Sequence, residues 1–225
     1  MSVTSGQAGD VAADAWRVPG ASWYARSVHD VARDLLGAYV VRRHGDGDVV
    51  LRLTEVEAYG GPDDPASHAF RGPSTRNRSM FGPPGRLYVY RHLGLHHCVN
   101  LVCGSVGDAG AVLLRAGEVV EGAPLARSRR ESVGACDSDR QIARGPARLA
   151  VALALDLDDD SEDATEPAGV LSVRLPVDPL PRTVATGPRV GVGGDGADPE
   201  RFGWRSWLVD EPTVSAYRPV VRRSR

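Results

Sequence analysis

The spacing of apolar positions along this 225-residue chain changes several times, and each change predicts an element. Over residues 27–37 (SVHDVARDLLG), Val31, Leu35 and Leu36 recur at helical spacing before a glycine, which predicts a helix. Residues 38–43 and 49–59 are rich in β-formers and flank the turn HGDGD, so they read as two strands. Residues 60–85 hold much Gly, Pro, Ser and Arg with little periodicity. A loop that long in a compact domain is usually functional or disordered. From Arg86 the runs RLYVY, RHLGLH and HCVNLVC predict a hairpin turning at Leu93-Gly94. Residues 111–115 (AVLLR) read as a short buried strand and 141–155 as a helix; 171–175, 186–192 and 202–209 supply the last strands. No repeat or linker divides the pattern. The expected fold is therefore α+β: one domain over residues 23–218 with an antiparallel or mixed curved sheet, flanking helices and a protruding β-hairpin. It lies between a small-residue, disordered leader (1–22) and a basic tail (219–225).

Composition changes this picture mainly by exclusion. With 42% hydrophobic and 25% charged residues the chain is an ordinary globular protein. Its longest apolar runs, such as residues 150–155, are too short to span a membrane, and the N-terminus lacks the basic start and apolar run of a secretory signal. Three cysteines, Cys98, Cys103 and Cys136, form no CxxC pair, which argues against a disulfide framework or a structural zinc and for a reduced, cytoplasmic setting. The chain contains no lysine, so a lysine Schiff base is excluded. The net charge is −2, but residues 65–107 hold no Asp or Glu, while Arg71, Arg76, Arg78, Arg86 and Arg91 all lie there with four histidines. The acids gather elsewhere, above all in LDLDDDSEDATE (155–166), which reads as a solvated loop.

Candidate chemistry starts at LTEVEAYGG (53–61), where alternation puts Glu55, Glu57 and Tyr59 on one strand face. The default for such glutamates is a solvated edge. Two carboxylates on one face of one strand also cannot flank a glycosidic bond from opposite sides, so one acting carboxylate fits better than a pair. Tyr88 and Tyr90 likewise share a face, which alone would mean cross-strand packing. GVGGDG (191–196) matches a dinucleotide fingerprint but precedes ADPER rather than an apolar helix, so it reads as a turn. His92, His96, His97 and Cys98 lack the spacing of a zinc site. Together, an acid-free arginine loop, an apolar hairpin tip, flat rings and one carboxylate are the parts of a base-flipping enzyme.

The series TEVEAYGGPDDPASHAFRGPSTRNRSMF, PGRLYVYRHLGLHHCVN and GAVLLRAGEVVEG closely resembles the alkyladenine type of 3-methyladenine DNA glycosylase, over roughly residues 27–209. The resemblance implies a monofunctional hydrolase, without metal or cofactor, that releases alkylated or deaminated purines from double-stranded DNA and leaves an abasic site. By position, Glu57 resembles the general base, Arg115 its orienting partner, and the main-chain carbonyl of Val190 a second holder of the water. Tyr59, His68 and Tyr90 resemble the walls around the flipped base, and Asn100 the residue that crowds the 2-amino group of guanine. Arg76, Arg78, Tyr88, Leu93, Gly94 and Leu95 are the expected DNA contacts, with Leu93 at the wedge position where the family often has tyrosine. The resemblance also implies a monomer. Two other readings start from the same residues: a non-catalytic nucleic-acid-binding module, and a metal-dependent nuclease built on Glu55, Glu57, Asp63, Asp64 and His68.

Overall fold

The computed structural model describes residues 15–179 and 181–219. Its frame is a large antiparallel sheet of nine strands among the described residues: β1 (Trp16–Arg17), β2 (Tyr39–Arg42), β3 (Val49–Tyr59), β4 (Leu87–His92), β5 (His96–Cys103), β6 (Gly110–Glu121), β7 (Leu171–Pro176), β8 (Val184–Gly187) and β9 (Arg205–Leu208). The spatial order is β1-β7-β2-β3-β6-β5-β4, with β9 joining β3 beyond β2 and β8 pairing with β9. Strand β3 is the axis of this arrangement. One edge pairs with β6 along nearly its whole length, while the other pairs with β2 over residues 49–52 and with β9 over residues 55–57.

Period-two alternation divides the sheet into two chemistries. Leu53, Val56 and Ala58 of β3, Leu87 and Val89 of β4, Leu101 of β5 and Val112 and Leu114 of β6 face the main core, where Val31 and Leu35 of α2 (Val28–Leu35) and Leu149 and Ala150 of α4 (Pro146–Ala152) cover them. Tyr88, Val102 and Ala111, the intervening positions, enter a second cluster with Ala69 and Met80 from the 60–85 segment. That long loop is thus anchored by its own apolar residues to the opposite face of the sheet. Three further helices, α1 (Ala21–Tyr24), α3 (Ala123–Glu131) and α5 (Pro199–Phe202), complete the α+β domain. Among the described residues no helix is long and apolar enough to cross a membrane.

Several boundaries differ from the sequence expectation for local reasons. Helix α2 matches it, with the Ser27 side chain accepting from the His29 amide at the start. Helix α4 begins only at Pro146, because Gly145 at φ +112 and the proline behind it fix the entry. The strand expected over 186–192 ends at Gly187, and Phe202 closes α5, whose cap is the Asp198 side chain, instead of opening the last strand. Helix α3 was not anticipated, since APLARSRRE carries almost no apolar stripe and buries only Ala126 and Arg130. Of the leader, residues 1–14 lie outside the described residues, while Trp16–Arg17 pairs with β7 as an edge strand of the sheet. In the tail, residues 220–225 likewise lie outside them.

The acidic segment 155–166 is solvated at Asp156, Asp158, Glu162 and Glu166 but not throughout. Asp159 forms a buried ion pair with Arg42 at 2.6 Å, and the Asp160 carboxylate accepts from Ser79 Oγ and the Val89 amide, both at 2.9 Å. Leu155 and Ala164 are buried at its two ends. The acids pin the 60–85 loop and β4 to the body of the domain.

Candidate active site

The face of the sheet opposite the helices carries the site, and a bulge aims its cation. Between the pairs Glu55↔Ala116 and Val56↔Leu114, β6 advances two residues while β3 advances one, so Arg115 is the extra residue of the bulge. Its side chain turns onto the face of Glu55 and Glu57. Nε donates to Glu55 Oε1 at 2.7 Å, and Nη1 lies 3.2 Å from Glu57 Oε2. Both carboxylates are completely buried, so the solvated-edge default fails for each.

The two glutamates nevertheless have different surroundings. Glu55 is saturated: Arg115 and Arg205 both donate to Oε1 at 2.7 Å, Ser215 Oγ donates to the same oxygen at 2.8 Å, and the Ser215 amide donates to Oε2 at 2.7 Å. Burial pushes its carboxyl up, and the two guanidiniums and the Ser215 amide more than offset this, leaving it below the usual carboxylate range. Glu57 accepts the Val190 amide on Oε1 at 2.7 Å and the Tyr59 hydroxyl on Oε2 at 3.0 Å, and it lines an open cavity of about 340 Å³. Only the second carboxylate is therefore presented to a ligand.

Tyr59, His68, Tyr90 and Asn100 border the same cavity, as does the segment Val190–Gly193. Its volume lies near the lower end of the roughly 300–1,000 Å³ of small-molecule sites. Burial and the Glu57 charge hold the Tyr59 phenol far above its ordinary pKa, so it stays a donor. The His68 imidazole stands edge-on to Tyr90 at 4.5 Å, and its Nδ1 pairs with the Tyr88 hydroxyl at 2.7 Å. Burial, with Arg76 and His92 nearby, lowers the His68 pKa to about 4, so the ring is neutral at neutral pH. Asn100 is buried and donates from Nδ2 to the Tyr88 carbonyl at 3.0 Å.

The expected DNA contacts separate into two groups. Arg76 and Arg78 are exposed because the intervening Asn77 is buried, where it donates to the carbonyls of His68 and Gly72. Leu93 and Leu95 are 80% and 77% exposed at the turn between β4 and β5. Leu93 and Gly94 both have positive φ, +49 and +72, and the Leu95 amide donates to the His92 carbonyl, the pattern of a type I′ turn. Tyr88 is 1% exposed and stacks on Tyr90, so it belongs to the lining of the cavity rather than to the exposed surface.

Arg189 and Asp64 are the residues that sequence reasoning missed as a unit. Their side chains are fully buried and paired, directly behind the cavity. The only signal in the sequence was the position of Arg189 next to Val190. Of the residues in the nuclease reading, Asp64 is bound to Arg189, Glu55 to two arginines, and Asp63 lies exposed outside the cluster, while Glu57 and His68 line the cavity.

A family model described as methylpurine-DNA glycosylase matches residues 22–212. A protein of Streptomyces avermitilis is 53% identical over 204 residues, covering 90% of this chain and 93% of its own. One from Leifsonia xyli is 49% identical over 203 residues, covering 89% and 92%, and one from Mycobacterium tuberculosis is 45% identical over 197 residues, covering 85% and 90%. All three are named, provisionally, as 3-methyladenine DNA glycosylases.

Proposed function

The chain belongs to the methylpurine-DNA glycosylase family, and from that premise we propose that it hydrolyses the N-glycosidic bond of damaged purines flipped out of duplex DNA, with Glu57 activating the water. The observation that carries this reading is a buried carboxylate, held by donors, in the lining of an aromatic-walled cavity. A 3- or 7-alkylated purine is cationic and already a good leaving group, and tyrosine faces attract it. The neutral His68 ring adds no charge opposed to it. As the base departs, the sugar becomes oxocarbenium-like; Glu57 both stabilises that charge and takes the proton of the attacking water. Arg115 and the Val190 amide fix the carboxylate, and the Val190 carbonyl holds the water from the other side. The base is 3-methyladenine, 7-methylguanine, hypoxanthine or ethenoadenine, bounded by Tyr59, His68 and Tyr90, with Asn100 crowding a 2-amino group. The protein acts as a monomer, without metal or cofactor.

The test is the product. Duplex DNA carrying one 3-methyladenine or hypoxanthine, incubated with the protein in EDTA, is expected to release free base and to break only after alkali. Strand breaks without alkali, abolished by EDTA, would establish nuclease chemistry instead. Binding with no base released would leave only a binding module.

In this reading the β4–β5 turn enters the base stack and Leu93 fills the gap left by the flipped nucleotide. A leucine at φ +49 is held in a conformation that costs about 1 kcal/mol, and such strain is retained at working sites. Leu93→Gly relieves it, so the melting temperature should hold or rise. Base release from duplex should fall about tenfold, the equivalent of about 1.4 kcal/mol, while release from single strands stays unchanged. Equal losses on both substrates would remove the turn from the flipping step.

A further inference from the structure

We propose that Arg189 and Asp64 form a positioning pair for the reaction: one buried guanidinium sets both the amide that orients Glu57 and the ring that backs the base. This deepens the glycosylase reading and rests on it. Arg189 itself lies behind the cavity wall, while the next residue, Val190, lines the cavity and donates its amide to Glu57 Oε1 at 2.7 Å.

Three separate chain segments converge on the guanidinium. From β3, the Ala58 carbonyl accepts from Nη1 at 3.0 Å, one residue beyond Glu57. From the turn that leads to His68, Asp64 accepts Nη1 at 2.5 Å on Oδ2 and Nη2 at 2.8 Å on Oδ1. The glycine-rich segment closes the ring through the Gly196 carbonyl, which accepts from Nη2 at 3.1 Å. Asp64 in turn accepts the amides of Gly60 and Ala66, so the same carboxylate shapes the turn it belongs to. The guanidinium carbon also lies 4.7 Å from the Tyr59 ring centre and 5.1 Å from that of Trp204. Tyr59 therefore has a cation on its back face and the cavity on its other side.

The contacts have a directional value that ion pairing alone does not explain. Replacing a buried ion pair by packed apolar residues often leaves stability unchanged, and the buried Nε of Arg189 finds no partner among the described residues. What the fork does supply is fixed geometry, since its planar donors match a carboxylate and two carbonyls at once. If these contacts relax, the Val190 amide and the Tyr59 hydroxyl shift together, and both donors of Glu57 move with them. Gly196 reports how tight the arrangement is: a Cβ there would stand 2.8 Å from the Ala66 nitrogen. Gly196 thus straps the run closely against the 60–68 turn, while Gly191 and Gly194, at φ +74 and +66 with nothing within 4 Å of a Cβ, serve the backbone turns of the run.

The experiment is single-turnover base release from a hypoxanthine duplex by Asp64→Asn, Arg189→Lys, Gly196→Ala and the wild type, with duplex affinity and melting temperature measured alongside. Arg189→Lys keeps the charge without the fork, and Gly196→Ala keeps both charges and displaces only the strap. The rate constant is expected to fall about 100-fold in each variant with duplex affinity unchanged, and an Asp64→Asn/Arg189→Lys double variant should be no slower than the slower single. A merely structural pair lowers melting temperature and reaction amplitude, the folded fraction, while the rate constant stays at the wild-type value; that result would overturn the proposal. Absence of release by the wild type would instead overturn the glycosylase reading beneath it.

Discussion

Glu57→Gln is expected to bind lesion-containing duplex as the wild type does and to release base at least about 10³ times more slowly, since general-base catalysis contributes about 10²–10⁴-fold. The substitution keeps side-chain volume and a carbonyl oxygen for the Val190 amide. It removes the group that in the proposed mechanism takes the water's proton, together with its negative charge. Arg115 retains Glu55 as its partner, so the fold should survive with little change in melting temperature. Single-turnover release on a trapped complex separates this from weakened binding; a slow variant rescued by excess enzyme would place Glu57 in binding rather than chemistry.

Glu55→Gln should give the opposite phenotype. The side chain is the hub of two buried guanidiniums, Arg115 and Arg205, and of Ser215 in the C-terminal segment. Removing one partner of a buried ionic cluster costs about 3–5 kcal/mol; glutamine preserves one acceptor, which puts the expected loss near about 3 kcal/mol and the fall in melting temperature at roughly 10 °C. On the folded fraction, base release should slow far less than in Glu57→Gln. The pH dependence gives a second check. A carboxyl lowered on folding stabilises above its unfolded pKa, about 4.3 for Glu, and that stabilisation is lost as pH falls from there through the lowered folded value. Between those two values the wild type should lose denaturation midpoint more steeply than Glu55→Gln as the pH falls. Parallel curves for the two proteins would mean that Glu55 carries no such linkage.

Much of this was legible in the sequence because it rests on short-range periodicity. Alternation in TEVEAY put Glu55, Glu57 and Tyr59 on one face, and the face is shared in the structure, where one bulged arginine reaches both carboxylates. The β2–β3 pair, helix α2 and the β4–β5 pair follow local pattern and turn chemistry for the same reason. What stayed hidden depends on contacts between residues far apart in the chain. Asp159 reads as one more solvated acid until Arg42, 117 residues away, is placed beside it. The hub role of Glu55 emerges only when Arg205 and Ser215 arrive from the C-terminal region. Tyr88 looks like a surface ring because alternation assigns it a face but not the Ala69–Met80 layer that covers that face. The Arg189–Asp64 pair is hidden for the same reason, since 125 residues separate its members. Helix α3 escapes differently, through an arginine-rich sequence with too few apolar positions to define a period.

The central claim is that one buried carboxylate, Glu57, hydrolyses the bond between a damaged purine and its sugar. Chromatographic detection of free base from a duplex with a single 3-methyladenine, in EDTA, with wild type and Glu57→Gln compared under single-turnover conditions, tests it most directly. Expected are stoichiometric free base from the wild type, an intact strand until alkali is added, and no detectable base from Glu57→Gln on the same timescale despite equal binding. Release by Glu57→Gln at the wild-type rate would contradict the claim.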